Sequence, residues 1–356
     1  MSTSASPNQS QDLIKKDLAD LHQKVSAASL PPELSDRTST MVDRLQRMFF
    51  QGFYSEEFEK TRHYIDWITR IPWNERGERP IDLARIKQTL DQHHYGMSEV
   101  KERILEYMSV LKLRTERNMG IARAPIIFLV GLVGTGKTTF AAALSEALGR
   151  PLARIPFGGM GSARDLRGQS RLHLESEPGQ VIKALVKTQV KNPIILLDEI
   201  DRVTAEARAD IMGVLVELLD PSQNHKFIDH FIDYPVDLSE VLFIATGNNT
   251  TNVATAVLDR LEPIQMPSYT DEEKTIIGRD YLFPKALQQA GLNSDVITID
   301  PQLWPQIVRP LGYDAGIRTL NRTIEGITRR VAKIIVENKA KSIHLTPENI
   351  KEFLPK

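Results

Sequence analysis

The sequence predicts an α/β fold in which a parallel sheet is flanked by helices, with an N-terminal helical region before it and a C-terminal all-α lid after it. Two observations indicate this fold class. Between residues 124 and 266, short apolar runs alternate with helical segments, which is the pattern of parallel strands joined by crossover helices. At the first strand-to-helix junction, residues 131–138 match the phosphate-binding pattern G-x-x-x-x-G-K-[ST]. The core is therefore expected to be a P-loop α/β domain.

The chain divides into four expected segments. Residues 1–11 are rich in serine and lack apolar anchors, so we expect a disordered tail there. Residues 12–90 are expected to form an N-terminal helical region, and residues 91–266 the α/β nucleotide-binding domain. Residues 267–356 are expected to form a helical lid subdomain.

The N-terminal region contains a predicted amphipathic helix and an aromatic cluster. Apolar residues recur on one face of the first helix at Ile14, Leu18, Leu21 and Val25. The aromatic cluster occupies residues 49–54. Its rings either pack a small helical bundle or form an exposed apolar patch that holds a client or a neighbouring subunit.

Five apolar runs have the length and composition of buried strands. They cover residues 125–130, 152–155, 193–197, 241–245 and 262–266. In the lid, Thr270 and Glu273 have the spacing of a capping box, and residues 318–337 have the periodicity of a long amphipathic helix.

Composition excludes several classes of protein. The 356 residues are 41% hydrophobic and 26% charged, which is ordinary for a globular chain. A net charge of -1 gives no general attraction to nucleic acid, and the lack of cysteine excludes disulfides and thiolate metal sites. The polar N-terminus does not resemble a signal peptide, and no apolar run has the length of a membrane span. We therefore expect a cytoplasmic protein that binds neither membrane nor nucleic acid.

The glycine-rich loop is expected to bind the phosphates of a nucleotide. Its glycines allow close approach of the backbone to phosphate oxygens, and its N–H groups form an anion site with the following helix. Lys137 is expected to reach the β- and γ-phosphates, while the Thr138 hydroxyl coordinates Mg²⁺. The expected cofactor-binding residues of the loop are Gly131, Gly134, Thr135, Gly136, Lys137, Thr138 and Thr139.

An acidic pair follows the third apolar strand, about sixty residues after the loop. The strand is expected to bring Asp198 to the magnesium ion and Glu199 to the attacking water. A second acidic residue beside Asp198 favours hydrolysis by water over transfer of phosphate to a bound acceptor.

Three further polar residues are candidates for the same reaction. Asn248 ends the next strand and can contact both γ-phosphate and water, although Asn249 is an ambiguous neighbour. Arg260 is suited to the charge that develops on a transferring phosphoryl group. Arg318 begins the long lid helix. For each arginine, a structural salt bridge is the alternative interpretation.

With these elements in order, the chain resembles the ATPase module of the Lon family of AAA+ proteases. The resemblance rests on four segments, YIDWITRIPW at 64–73, HYGMSEVKERILEY at 94–107, LDPSQN at 219–224 and DLSEVLFIAT at 237–246. It implies an AAA+ core in a homo-oligomeric ring, usually of six subunits, with ATP between neighbours. It also implies that Arg260 is the arginine finger for the adjacent subunit, that Arg318 is the second sensor of its own subunit, and that Tyr95 lies near the adenine.

The chain departs from Lon in two respects that concern function. Lon carries a Ser/Lys proteolytic domain after the lid, whereas this chain stops at Lys356, so no peptidase activity is expected from it without a further domain or a partner peptidase. It corresponds either to a free-standing ATPase or to the ATPase half of a longer protease. The pore loop of Lon presents an aromatic residue, an aliphatic residue and a glycine, and the matching positions here are His173, Leu174 and Glu175. This loop is expected to hold polypeptide less firmly.

Two functions follow from these features. The first is an ATP-hydrolysing ring that unfolds, remodels or translocates protein substrates. The second is a nucleotide-gated assembly scaffold or regulator with little or no substrate threading. The altered pore loop favours the scaffold, while the set of Asp198, Glu199, Asn248 and Arg260 favours hydrolysis. A nucleic-acid remodeller has no support in the charge balance.

Overall fold

The computed structural model describes residues 7–50, 56–77, 80–117, 126–173, 175–309 and 316–355, and for residues 7–15, 49 and 50 it describes the backbone alone. The side chains of the aromatic cluster at 49–54 and the pore-loop residue Leu174 therefore lie outside the described residues. Within the described ranges, no helix combines the length and apolar character that crossing a membrane requires.

Three helices make up the start of the chain. They are α1 (Pro7–Ala27), α2 (Pro32–Phe50) and α3 (Glu56–Arg70). Because α1 begins at Pro7, the expected disordered tail does not extend to residue 11. Proline suits a first helical position, since its φ is already helical and its missing N–H would have no partner there.

These helices pack against the rest of the chain instead of forming a separate bundle. Leu21 of α1 and Ile65 of α3 are buried in the same hydrophobic core as Phe128 and Ile155, which lie in the central sheet. The hydroxyl of Tyr64 donates to the carbonyl of Ile232 over 3.1 Å. The N-terminal helices thus cover one side of the α/β core.

The α/β core alternates strands and helices. In chain order its elements are α4 (Leu83–His93), α5 (Ser98–Glu116), β1 (Ile126–Val130), α6 (Lys137–Leu148), β2 (Leu152–Pro156), α7 (Arg164–Arg167), α8 (Gln180–Thr188), β3 (Ile194–Asp198), α9 (Arg208–Leu218), β4 (Phe227–Ile228), β5 (Pro235–Val236), β6 (Leu242–Gly247), α10 (Thr255–Leu258) and β7 (Leu261–Gln265).

Five strands form one parallel sheet in the order β2-β3-β6-β1-β7, which confirms the predicted parallel sheet. Strands β1, β3 and β6 are buried along their whole length, because helices cover both faces. Val130 at the end of β1 pairs with Gly247 at the end of β6, so the loops after these strands meet at one edge. Ligands bind α/β sheets at such an edge, beside the carboxyl ends of the strands.

The remaining chain is mainly helical, as expected for the lid. Its elements are α11 (Asp271–Ile276), a π-helical turn (Ile277–Leu282), α12 (Phe283–Gln289), β8 (Ile297–Ile299), α13 (Trp304–Val308), α14 (Arg318–Val336), β9 (Ile343–Leu345) and α15 (Ile350–Phe353).

The lid has its own hydrophobic core and one addition to the all-α expectation. Trp304, Ile324 and Val331 are buried in that core. The predicted capping box is confirmed, because the side chain of Thr270 accepts from the N–H of Glu273 and the Glu273 side chain accepts from the N–H of Thr270. The addition is the pairing of β8 with β9 as two parallel three-residue strands. Both strands contain isoleucine, which suits a half-buried extended segment.

Candidate functional site

The glycine-rich loop connects β1 to α6, as its sequence predicted. Gly134 and Gly136 have φ angles of +85° and +98°, in the left-handed region that favours glycine. At Gly131, a Cβ atom would lie 2.6 Å from the carbonyl oxygen of Met266, so the space allows no side chain. These three glycines therefore permit the tight loop ahead of the α6 N-terminus, and this arrangement is suited to binding phosphate.

Lys137 lies between the loop and the end of β6. Its Nζ donates to the carbonyls of Gly131 and Leu132 over 2.6 and 3.0 Å, and to the Oδ1 of Asn248 over 3.3 Å. Burial lowers the pKa of Lys137, while the charge of nearby Asp201 opposes this shift. The Nδ2 of Asn248 is buried without a hydrogen-bond partner among the described residues, so it remains able to donate to a ligand.

Asp198 is held from three directions at the end of β3. Thr246 donates to its Oδ1 over 2.5 Å, and the hydroxyl of Thr138 lies 3.5 Å from the same oxygen. The guanidinium of Arg154 donates to the other oxygen, Oδ2, over 2.6 Å. Only 5% of the Asp198 side chain is exposed, so the carboxylate is buried among these partners.

Glu199 follows in an unusual backbone conformation. Its φ is +58°, in the left-handed region, which costs a residue with a side chain about 1 kcal/mol or more. Its N–H donates to the hydroxyl of Thr246 over 2.9 Å, and this bond helps to hold the conformation. The Glu199 carboxylate lines the cavity beside the loop, and its Oε2 lies 4.0 Å from Arg202.

Asp201 fixes the turn that carries Asn248. It is buried, and its Oδ2 accepts from the N–H groups of Asn248 and Asn249 over 3.1 and 3.4 Å. Asn248 then lines the cavity, whereas the side chain of Asn249 is exposed and accepts from the N–H of Thr251. Of the two neighbouring asparagines, Asn248 is the one in contact with the site.

The lid touches the glycine-rich loop directly. The N–H of Ile317 donates to the carbonyl of Gly134 over 3.1 Å. A Cβ atom added at Gly316 would lie 2.5 Å from the carbonyl carbon of Gly134, so the two backbones are in close contact. This contact brings Arg318, the first residue of α14, to the edge of the cavity.

Most predicted site residues surround one cavity of about 330 Å³. The cavity is lined by Val133, Gly134, Gly136, Lys137, Thr138, Thr139, Arg154, Asp198, Glu199, Asn248, Leu282, Ile317, Arg318 and Asn321. Gly131 and Thr135 belong to the loop but do not line the cavity, and the buried Thr135 hydroxyl donates to the carbonyl of Leu132 over 2.9 Å. The lining thus combines two lid residues with apolar side chains, Leu282 and Ile317, with a group of charged residues.

Tyr95 lies outside this lining, with its ring centroid 6.3 Å from that of Tyr281 in the lid. Its neighbour His94 is closer to the loop, because its ring stacks on Phe140 with the centroids 3.7 Å apart. A Cβ atom at Gly136 would lie 3.4 Å from the His94 ring. Burial lowers the pKa of His94 to about 4, so the ring is neutral at pH 7.

Arg260, like Tyr95, does not line the cavity. Its guanidinium donates to Asp220 over 2.7 Å and to the carbonyl of Ala256 over 2.7 Å. Hydrogen bonds from Ser222 and then from Arg260 lower the pKa of Asp220 to about 2. Arg260 therefore forms the salt bridge that was the alternative interpretation. Its role as an arginine finger for a neighbouring subunit stays a prediction.

The two pore-loop candidates that the structure describes, His173 and Glu175, do not line the cavity either. His173 and Glu175 are exposed, and Leu172 beside them is 87% exposed. The loop is tied to the N-terminal helices, because the guanidinium of Arg171 lies 4.1 Å from the centre of the Tyr64 ring. Substrate contact by this loop stays a prediction.

The oxygen ligands near the glycine-rich loop suit magnesium. The hydroxyl of Thr138 and the carboxylate of Asp198 are hard ligands, and Mg²⁺ is commonly held by one or two protein oxygens together with substrate phosphates. In the described part of the chain, no group of three or more His, Cys, Asp or Glu side chains forms a metal site. The residues present therefore fit a magnesium ion that arrives with a nucleotide.

Sequence reasoning missed three residues that shape the site. Thr246 is a buried hydroxyl at the end of an apolar strand, and Asp201 is a buried acid three residues after Asp198. Both could have been noticed as polar residues within segments that should be apolar. Arg154 gives no such signal, because a charged residue on a short edge strand is ordinarily solvated.

Comparison with known proteins gives two family matches. Residues 127–269 match the model described as "ATPase family associated with various cellular activities (AAA)", and residues 288–343 match "Lon protease AAA+ ATPase lid domain". The glycine-rich loop, the acidic pair, Asn248 and Arg260 fall within the first range, and most of the lid core falls within the second.

Similar proteins carry the name Lon protease. Lon protease 2 of Thermus thermophilus is 36% identical over 347 residues, which are 96% of this chain and 43% of that protein. Lon protease of Bacillus thuringiensis is 37% identical over 96% of this chain and 42% of its own length. The mitochondrial Lon protease homolog of Rattus norvegicus is 37% identical over 88% of this chain and 32% of its own length. The chain thus spans about two-fifths or less of the relatives it matches.

Proposed function

The chain contains the ATPase module of the Lon family of AAA+ proteins, and we propose that it hydrolyses ATP in a ring of subunits in order to unfold, remodel or translocate protein. One observation carries the proposal most directly. Lys137, Thr138, Asp198, Glu199, Asn248 and Arg318 surround a single cavity at the end of the parallel sheet. A phosphate-binding loop, a carboxylate beside a hydroxyl, a second carboxylate and two further polar groups together fit hydrolysis of ATP.

ATP binding is assigned to the loop and its lysine. The N–H groups of the loop and the N-terminus of α6 would surround the phosphates, with Lys137 exchanging its carbonyl contacts for phosphate oxygens. Thr138 and Asp198 would hold Mg²⁺, which when bound neutralises charge between the β- and γ-phosphates. His94, Tyr95 and the apolar lid residues would flank the base.

Activation of water is assigned to Glu199. Its carboxylate lines the cavity and is about a third exposed, so it is accessible to a water molecule there. As a general base, it would take a proton from the water as the oxygen attacks the γ-phosphorus, an effect worth about 10²–10⁴ in rate. Asn248 would orient the water and the phosphate through its buried Nδ2.

The two arginines would act from different places. Arg318 lines the cavity of its own subunit, where it would contact the γ-phosphate. Arg260 does not line that cavity and is 26% exposed, which suits a residue offered to a neighbouring subunit. A site that takes its second arginine from a neighbour needs an oligomer in which each subunit contacts the next, and we propose a homo-oligomeric ring, with six subunits as the expected number.

Protein substrates would be bound by the assembled ring and not by a single subunit. The loop that carries His173 and Glu175 would contact polypeptide, and a peptidase domain or a separate partner protein would supply any cleavage. The same exposed polar loop favours a second candidate function, a nucleotide-gated scaffold that does not thread substrate.

Incubation with ATP and a permanently unfolded model protein separates these functions. For a remodelling ATPase, the substrate should raise the rate of ATP hydrolysis and lose any residual structure only when ATP is present. The Glu199→Gln variant is the matched control, since it should bind both ligands without turnover. If neither the ATPase rate nor the substrate conformation responds, the remodelling function fails and the scaffold is favoured.

A further inference from the structure

We propose that Arg154 is a positioning residue that acts on the magnesium site through Asp198, where its charge weakens the affinity for Mg²⁺. The proposal rests on the proposed function, because it assumes that Asp198 and Thr138 hold the ion that accompanies ATP. It adds a third participant to that site, and one that comes from the edge strand β2 instead of from a loop.

The geometry places Arg154 on the buried carboxylate. Its Nε donates to the Oδ2 of Asp198 over 2.6 Å, and a second guanidinium nitrogen lies 2.6 Å from the same oxygen. In the sheet, Pro156 lies opposite Asp198, and Arg154 is two residues earlier on the same face. The side chain of Arg154 therefore extends along the sheet to reach Asp198.

The two oxygens of Asp198 have different surroundings. Oδ1 accepts from Thr246 and lies on the side of the Thr138 hydroxyl, which is the side of the proposed ion. Oδ2 accepts from the guanidinium of Arg154. A dication held through Asp198 would thus share one carboxylate with a guanidinium, and the two positive charges would lie within a few ångströms of each other.

Burial and charge decide the direction of the effect. Asp198 is 5% exposed and needs a counter-charge, which Arg154 supplies while its own side chain stays 57% exposed at the cavity. The guanidinium neutralises the carboxylate and repels a dication, and both effects weaken binding of Mg²⁺. Removing the charge of Arg154 should therefore strengthen the magnesium site.

The test is a Mg²⁺ titration of the binding of a fluorescent, non-hydrolysable ATP analogue, measured without turnover. For Arg154→Gln, we expect the half-saturating Mg²⁺ concentration to fall about tenfold relative to the unaltered protein. Arg154→Lys, which keeps the charge but has a single donor group, should lie between the two. Arg202→Gln is the charge control, because Arg202 is 51% exposed and lies near Glu199 but has no contact with Asp198 among the described interactions. It should change the Mg²⁺ requirement by less than about twofold.

A second measurement distinguishes this role from a structural one. Without Mg²⁺ and nucleotide, Arg154→Gln should have a lower Tm, because Asp198 is left buried without its cation. Addition of Mg²⁺ and the analogue should raise its Tm by more than that of the unaltered protein. A variant that merely packs poorly would have the lower Tm without the larger increase in Tm on adding Mg²⁺ and the analogue. This result would overturn the proposal.

The possible failures are distinguishable. If the unaltered protein binds the analogue and Arg154→Gln needs the same or more Mg²⁺, the role of Arg154 is wrong and the proposed function stands. If the unaltered protein does not bind the analogue at any Mg²⁺ concentration, the proposed function itself is wrong. If Arg154→Gln does not fold, Arg154→Ala decides, since it also removes the charge, and an unchanged Mg²⁺ requirement in that variant contradicts the proposal.

Discussion

Arg260 and Asp220 form an ion pair within one subunit, with a nitrogen–oxygen distance of 2.7 Å. Neither residue lines the cavity beside the glycine-rich loop of that subunit. The arginine is 26% exposed and the aspartate 18%, so the pair lies at the surface of the subunit. Asp220 is in turn fixed by the hydroxyl and N–H of Ser222. We interpret the pair as a support that fixes the position of the Arg260 guanidinium within its own subunit.

This arrangement leads to a prediction about mixed rings. Arg260→Ala should lower ATP hydrolysis by about 10³-fold or more, because arginine fingers contribute about 10³–10⁵ to the rate. Glu199→Gln should also be inactive alone. When the two variants are mixed, a subunit with intact Glu199 can receive Arg260 from its neighbour, so part of the ATPase activity should return.

Measurement of steady-state phosphate release in mixtures of defined ratio checks this prediction. Each variant alone at the same total concentration is the control. Asp220→Ala should lower ATP hydrolysis by about tenfold, which is less than the loss in Arg260→Ala, since it removes only the support of the arginine. A mixture that stays inactive at every ratio would show that the active site is not shared between subunits.

Glu199→Gln should separate ATP binding from turnover. The amide cannot accept a proton from water, so the hydrolysis rate should fall by about 10²–10⁴. Binding of ATP should be kept, because Lys137, Thr138 and Asp198 are unchanged. Equilibrium binding and single-turnover hydrolysis measured on the same sample check both halves. Unchanged turnover would remove Glu199 from the role of base.

Gly316→Ala should uncouple the lid from the glycine-rich loop. A Cβ atom there would lie 2.5 Å from the backbone of Gly134, so the lid loop must shift and Arg318 must move with it. We expect hydrolysis to fall about tenfold or more and nucleotide affinity to weaken, since a displacement of about 1 Å can cost that much.

Gly326→Ala is the matched control for this change. Gly326 lies in the same helix as Arg318, and a Cβ atom at Gly326 meets no atom within 4 Å. Replacing this half-buried helical glycine by alanine should raise the free energy of unfolding by about 0.5–1 kcal/mol and leave hydrolysis unchanged. Equal activity of Gly316→Ala and Gly326→Ala would contradict the importance of the contact with Gly134.

Much of the site could be predicted from the sequence because its parts are local. The loop that contains Lys137 is recognisable from its glycines and from the strand and helix beside it. Asp198, Glu199 and Asn248 each follow an apolar strand, and parallel strands bring their carboxyl ends to one edge. The sheet order itself puts β3, β6 and β1 next to one another, so these side chains meet.

The contacts that tune the site could not be predicted in this way. Arg154 is 44 residues from Asp198 in the chain, and Thr246 is 48 residues from it. No local sequence pattern indicates that both side chains donate to the carboxylate of Asp198. The choice between a salt bridge and a shared site for Arg260 also depends on side-chain geometry and on a neighbouring subunit, neither of which is encoded by spacing.

His94 should make the stability of the protein depend on pH. Burial against Phe140 lowers its pKa to about 4, whereas an unfolded chain has the ordinary value of about 6.5. Between these values the unfolded state binds a proton that the folded state does not, so stability falls as the pH falls. The contribution of His94 should be about 2 kcal/mol less favourable at pH 5 than at pH 7.5.

Denaturant unfolding of His94→Phe at both pH values checks this prediction. Phenylalanine keeps an aromatic ring against Phe140 but cannot take up a proton, so the loss of stability between pH 7.5 and pH 5 should be about 2 kcal/mol smaller than in the unaltered protein. His93→Gln is the control, because His93 is 47% exposed and paired with Glu146. If His94→Phe loses as much stability between pH 7.5 and pH 5 as the unaltered protein, protonation of His94 does not cause the pH dependence.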